Sequence, residues 1–112
     1  MQLVTAIVKP HRLEDVTEAL KEHGVHGVTV SEAQGFGRQG GHSEVYRGSE
    51  YHVDYLPKVR IEVLCEDADA PAVADLIATT ARTGKIGDGK IWIVEVGRVI
   101  RVRTGELDAD AI

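Results

Sequence analysis

The residues best suited to chemistry lie in the last third of the chain. Gly84-Lys85-Ile86-Gly87-Asp88-Gly89-Lys90 fills the first seven positions of a Walker A phosphate loop. The eighth position should carry a hydroxyl for magnesium and is Ile91. The context is inverted as well, because this stretch leads from a helical pattern into a strand pattern. A standard NTPase loop is excluded, but the physics of a glycine-rich nest is not. Gly87 and Gly89 can adopt backbone angles that turn successive N–H groups toward one anion, and Lys90 adds a charge. The plainer reading is a glycine-rich turn between helix and strand. Arg101 and Arg103 shift the balance, since two residues apart on an expected strand they project from one face. A guanidinium pair suits a polyphosphate, each charge-assisted bond being worth roughly 1.5–3 kcal/mol. A few such contacts support micromolar nucleotide binding, about −8 kcal/mol after association costs.

A second glycine motif misleads. Gly35-Phe36-Gly37-Arg38-Gln39-Gly40 matches G-x-G-x-x-G after a strand pattern. A dinucleotide fold needs a helix opening at the third glycine, because that helix N-terminus holds the pyrophosphate. Gly41-His42-Ser43-Glu44 follows instead, with no apolar stripe. The glycines still permit close approach of the backbone to a ligand.

No catalytic constellation accompanies these loops, and the chain is expected not to be an enzyme. Ser43 and Ser49 have histidines nearby but no positioned acid. His11, His23, His26, His42 and His52 form no recognisable ligand set, and His23 and His26 read as solvent-exposed residues flanking a helix end. His42, Glu44 and His52 could chelate a metal only if their segment folded back. Cys65 reads as a buried apolar residue.

Charge supports a compact anionic ligand. The 112-residue chain has a net charge of −5. Residues 82–103 carry six cations against two anions, a balance of +4, and the remainder of the chain is at −9. Extended nucleic acid is a poor partner for a chain of that sign. No apolar run reaches the roughly 20 residues of a membrane span, and Met1-Gln2-Leu3 leads into a folded-looking segment, so a cytoplasmic protein is expected.

Elements must position these loops. Leu3–Val8 is an apolar run of strand length stopped by Lys9-Pro10. Leu13, Val16, Ala19 and Leu20 recur at helical spacing, and Gly24 sits where a helix should end. Val25, Val28 and Val30 alternate in a second strand, and Val59, Ile61, Val63 and Cys65 in a third. Asp69 reads as an N-cap, with Pro71 in the first turn of a second helix that carries Val73, Leu76, Ile77 and Ala81 and ends by Gly84. Ile91–Val96 is a fourth strand and Val99–Arg103 a short fifth. Strand–helix–strand twice over implies an α+β, ferredoxin-like βαββαβ sandwich in a single domain, 1–112. One layer of helices leaves the other sheet face free for subunits to meet.

Four of the five aromatics (Phe36, Tyr46, Tyr51 and Tyr55) fall in the connection between strands two and three, and the fifth is Trp92. The core must therefore be aliphatic. The stretch 37–55 shows no sustained period and is far longer than a hairpin needs, which points to a flexible binding arm.

Together, Val28–Glu32, GFGRQGGHSEVYRGSEY from Gly35 to Tyr51, Leu56-Pro57-Lys58, TGKIGDGKIW at 83–92 and Ile100–Glu106 resemble the PII nitrogen-regulatory signal transduction proteins, in register over essentially the whole chain, including Ile7-Val8-Lys9-Pro10. The resemblance implies a cytoplasmic homotrimer that senses ATP, ADP and 2-oxoglutarate. It further implies that a long loop docks onto nitrogen-assimilation enzymes, regulators, a nucleotidyltransferase and the membrane ammonium channel, which would recruit it to the membrane. Carried onto this sequence, Gly87, Asp88, Gly89 and Lys90 (within a loop at 82–90) would cradle the phosphates. Gly37 and Arg38 would join them, with Arg101 and Arg103 from a C-terminal segment at 101–106. Thr29 and the Leu64 backbone would meet the adenine. Gln39 would complete the coordination of Mg2+, and Gln39, Lys58 and Gly87 would bind 2-oxoglutarate. Tyr51 would be the residue nucleotidylated by partners, and Ser49 stands where some relatives are phosphorylated.

Departures from the common pattern are Gly40 in place of Lys, Trp92 in place of Phe, and His11-Arg12 in place of Phe-Lys. Gln39 at the root of the arm and Tyr51 near its tip imply a switch in which a ligand recruiting Gln39 changes the shapes the arm populates. Two other readings of the same residues are a small nucleotide hydrolase and a metal-binding trimer of the same fold.

Overall fold

The computed structural model describes residues 1–37 and 54–112 in full and, between them, the backbone of the strands at 44–46 and 50–52. In chain order the elements are β1 (Gln2–Val8), α1 (Leu13–His23), β2 (Thr29–Gly35), β3 (Glu44–Tyr46), β4 (Glu50–His52), β5 (Leu56–Cys65), α2 (Ala70–Ala81) and β6 (Gly89–Glu95). A short 3-10 turn, Pro10–Arg12, leads into α1. The main sheet has the order β2-β5-β1-β6 with every pair antiparallel. The α+β architecture expected of two strand–helix–strand units is therefore present, with both helices on one face.

Among the described residues, the core between helices and sheet is aliphatic apart from Cys65. It comprises Val4, Ala6, Val8, Val59, Ile61, Val63 and Cys65 from the sheet, with Val16, Leu20, Ala70, Val73, Ile77 and Ala81 from the helices. Burying each larger aliphatic side chain contributes roughly 1.5–3 kcal/mol. Cys65 is a buried free thiol, and burial pushes its pKa up.

Gly24 ends α1 in the left-handed conformation, φ 106°. The Gly24 amide donates to Lys21 O and the Val25 amide to Leu20 O, each at 3.0 Å, which is the Schellman closure. At the start of α2, Asp69 occupies the cap position but its side chain makes no cap hydrogen bond. Its carboxylate instead meets His23 Nε2 at 2.9 Å, tying the end of α1 to the start of α2. His23 is exposed, as expected, yet it has a partner. Helix α2 stops at Ala81, ahead of Gly84, because Arg82 is already extended.

Two sequence expectations are corrected. Strand β2 begins at Thr29, and Val25 and Val28 instead pack against the core from the preceding connection. The fifth strand at Val99–Arg103 is absent. Only an isolated bridge joins Ile100 to Leu107, and residues 102–104 form a turn that opens at Arg101. The chain bonds to its own continuation rather than to the sheet, with Arg101 N donating to Glu106 O at 2.9 Å and Gly105 N to Arg101 O at 2.7 Å. Val102 is consequently 98% exposed. Within the long connection, β3 and β4 pair as an antiparallel hairpin that the aperiodic sequence did not reveal.

The alternation of the pleat puts Leu3, Leu64, Trp92 and Val94 on the face away from the helices. Leu64, Trp92 and Val94 are 38%, 41% and 46% exposed, an apolar surface that none of the described elements covers. Phe36 and Tyr55 meet edge to face, with centroids 5.6 Å apart, where the long connection leaves and rejoins the sheet.

Candidate functional site

The glycine-rich loop joins α2 to β6 and is built from inside. Gly84, Gly87 and Gly89 all have positive φ, at 85°, 93° and 106°. At Gly89 a Cβ would lie 1.7 Å from the Ile7 carbonyl oxygen, so the backbone of β6 approaches β1 too closely for any side chain. The Asp88 carboxylate staples the loop. It accepts hydrogen bonds from Thr83 N at 2.8 Å, Thr83 Oγ1 at 2.5 Å and Gly84 N at 2.9 Å. Lys9 Nζ reaches the same carboxylate at 3.2 Å and donates to Thr83 Oγ1 at 3.2 Å. Led by the Thr83 hydroxyl, these partners hold the Asp88 carboxyl far below the usual carboxylate range.

Lys58, on β5, is 8% exposed, and its Nζ donates to Gly87 O at 2.6 Å. Burial lowers its pKa and the Lys9 charge adds to the effect, with Asp88 opposing. The loop is thus held from two sides, by Lys9 after β1 and by Lys58 on β5. Lys90 lies on the same sheet face as Lys58, opposite Ile7 in the register.

The remaining expected site residues gather elsewhere. Thr29, Leu64 and Arg101 line one cavity of about 960 Å3, together with His26, Gly27 and Glu62. Asp88, Gly89 and Lys90 line a separate cavity of about 290 Å3 with Arg82. Register explains the separation, since Gly89 pairs with Val8 and Leu64 with Leu3. Those positions lie about 17 Å apart along β1. Within one chain, then, the two sets occupy opposite ends of the sheet.

Arg101 and Arg103 do not share a strand face, because they sit in the turn described above. Arg101 Nη1 contacts Glu106 Oε1 at 2.7 Å, and Thr104 Oγ1 donates to that same oxygen. Arg103 is exposed, as is Gly37 at the entry to the long connection. Arg38, Gln39 and Ser49 lie outside the described residues, so the expectations for nucleotide, 2-oxoglutarate and Mg2+ binding at Gln39 and for phosphorylation at Ser49 lie there too. Tyr51 is described only by its backbone, in β4 opposite Val45. Among the described residues no group of three or more His, Cys, Asp or Glu could hold a metal ion.

Sequence reasoning gave Thr83 and Glu106 no role of their own and read Lys9 only as the end of the first strand. Thr83 precedes the glycine loop directly, and a hydroxyl beside an Asp-bearing turn is a legible staple signal. Lys9 follows from the fold, once β1 is set beside β6.

The loop can hold an anion: its glycines admit close backbone approach, cations flank it, and its one carboxylate is turned onto its own amides. Comparison with known proteins shows which family the chain resembles over its length. A family profile described as Nitrogen regulatory protein P-II matches residues 1–106. The chain is 56% identical to the Nitrogen regulatory protein GlnK of Escherichia coli (strain K12) over 112 residues, 100% of both chains. It is 57% identical to the Nitrogen regulatory protein P-II 1 of that strain over 112 residues, 100% of both chains. Identity to the Nitrogen regulatory protein P-II of Rhizobium meliloti (strain 1021) is 56%, over the same full length. These relatives are named as regulators, not as enzymes.

Proposed function

The chain belongs to the nitrogen regulatory protein P-II family, and from that premise we propose that it is a nucleotide and 2-oxoglutarate sensor assembled as a homotrimer. The observation that carries the reading is the loop at 83–90, whose left-handed glycines and Asp88 staple fix the backbone in one shape. Such pre-organisation reduces the ordering cost of binding a polyphosphate.

In this reading ATP or ADP lies in a cleft between subunits. One chain presents Gly37, Arg38, Gln39, Gly87, Asp88, Gly89 and Lys90, and its neighbour presents Thr29, Leu64, Arg101 and Arg103. The split of the described residues between two ends of the sheet supports a composite site, since no single chain brings them together. The uncovered face carrying Leu64, Trp92 and Val94 supports the assembly.

Lys58 and Gly87, already joined, would receive 2-oxoglutarate together with Gln39. The Lys58 ammonium, held in a partly desolvated place, is suited to a carboxylate. Magnesium bound with ATP would neutralise phosphate charge, with Gln39 as its protein ligand. The segment 37–55 would carry the signal to nitrogen-assimilation enzymes, regulators, a nucleotidyltransferase modifying Tyr51, and a membrane ammonium channel, with Ser49 a further modification position. Among the described residues no helix is long and apolar enough to cross a membrane. In this reading the protein works in the cytoplasm, and membrane contact would come through the channel.

Calorimetry tests the core of this proposal. ATP should bind in the micromolar range, and 2-oxoglutarate should bind more tightly with Mg-ATP present than without it. Equal 2-oxoglutarate affinity in both conditions would refute the coupling, and monomers in light scattering would refute the cleft.

A further inference from the structure

Arg101 is not waiting empty-handed for a phosphate. Its guanidinium Nη1 contacts Glu106 Oε1 at 2.7 Å, and that oxygen also accepts from Thr104 Oγ1. The arrangement is built into the fold. Arg101 N donates to Glu106 O at 2.9 Å and Gly105 N to Arg101 O at 2.7 Å, closing the turn that faces the two side chains toward each other. Gly105 takes φ 79° to allow the reversal. Beyond it Asp108 locks the return, with Val99 N donating to its Oδ1 at 3.0 Å and Asp108 N donating to Val99 O at 2.8 Å.

A carboxylate presents the guanidinium with the same kind of oxygen acceptors that a phosphate does. Arg101 also lines the large cavity beside Thr29 and Leu64. We propose that Glu106 is a built-in competitor for the ligand phosphate at Arg101, a specificity-determining residue that holds the nucleotide affinity down. A phosphate reaching Arg101 must displace the carboxylate or share the guanidinium with a second negative charge. Thr104 is placed to retain the carboxylate after displacement. This inference rests on the nucleotide reading above, and it concerns the phosphate end of the ligand alone.

Both side chains are partly exposed, so the competition is modest. Glu106→Gln should tighten binding of ATP and of inorganic tripolyphosphate by about two- to five-fold, the scale of an exposed ion pair. Adenosine should bind with unchanged affinity. In an Arg101→Ala background, which itself weakens ATP binding, the further change Glu106→Gln should bring no tightening, since the guanidinium under competition is gone. Calorimetric titrations of the assembled protein read all of these. If Glu106→Gln leaves ATP affinity unchanged or loosens it while the native protein binds ATP, the competitor role is overturned. Tightening that persists in the Arg101→Ala background, or that extends to adenosine, also overturns it. If the native protein binds no nucleotide at all, the underlying reading falls, and the proposal with it.

Discussion

At the scale of single residues, Asp88 is the hinge of the site. The family resemblance implied that it helps cradle phosphate, yet its carboxylate is committed to Thr83, Gly84 and Lys9. Its contribution is the shape of the loop. Replacing it by Asn removes the charge that Lys9 pairs with and half of the acceptor capacity that organises Thr83 and Gly84. Asp88→Asn should therefore weaken ATP binding by about ten-fold, through the loss of one charge-assisted bond at the ligand-binding loop. Calorimetry checks this, with circular dichroism expected to show an unchanged fold. Stability should respond to pH in a definite direction. The Asp88 carboxyl titrates lower in the folded chain than its ordinary 3.8. The stabilisation is present in full above that value and is lost as pH falls below it toward the folded value. The gap in melting temperature between native and Asp88→Asn chains should be constant from pH 5 to 7 and narrow progressively below about 3.8. A gap that widens in acid would show that the staple acts otherwise.

At the scale of elements, the sequence was legible where a residue's local conformation decided the outcome. Gly24 and the loop glycines needed left-handed backbone, and they have it. The alternation Val59, Ile61, Val63, Cys65 could only be one buried strand face, and it is. It was illegible where the partner decided. Val99–Arg103 alternates like a strand, but a strand needs an edge to pair with, and this segment turns back on itself at Gly105. Asp69 has a cap's position and spends its carboxylate on His23, because tertiary contact between α1 and α2 competes with the local bond. The clearest element-level prediction is at the end of α1. Gly24→Ala forces a Cβ into φ 106°, so it should destabilise the protein by about 1–2 kcal/mol in urea denaturation at fixed protein concentration. Gly27→Ala, at a position with open space and a φ outside the left-handed region, should cost less than half of that.

At the scale of the whole molecule, the two groups of site residues pose a problem that one chain does not solve. The loop at 83–90 and the cavity holding Thr29, Leu64 and Arg101 are at opposite ends of the sheet. If both serve one nucleotide, each must come from a different copy. That requirement yields a test that depends on assembly and not on any one contact. Lys90→Ala disables the loop half of a cleft, and the pair Arg101→Ala and Arg103→Ala disables the other half. Each variant alone should form trimers and bind ATP at least ten-fold more weakly than the native protein, about 1.4 kcal/mol or more. Co-expressed, they should form mixed trimers in which one cleft joins an intact loop half to an intact arginine half. ATP binding of native affinity should then reappear at a reduced number of sites per trimer in calorimetry. A site built within single chains cannot be rescued by mixing, because every chain then carries a defect in its own site. Rescue would establish the composite cleft, and its failure in verified mixed trimers would exclude it.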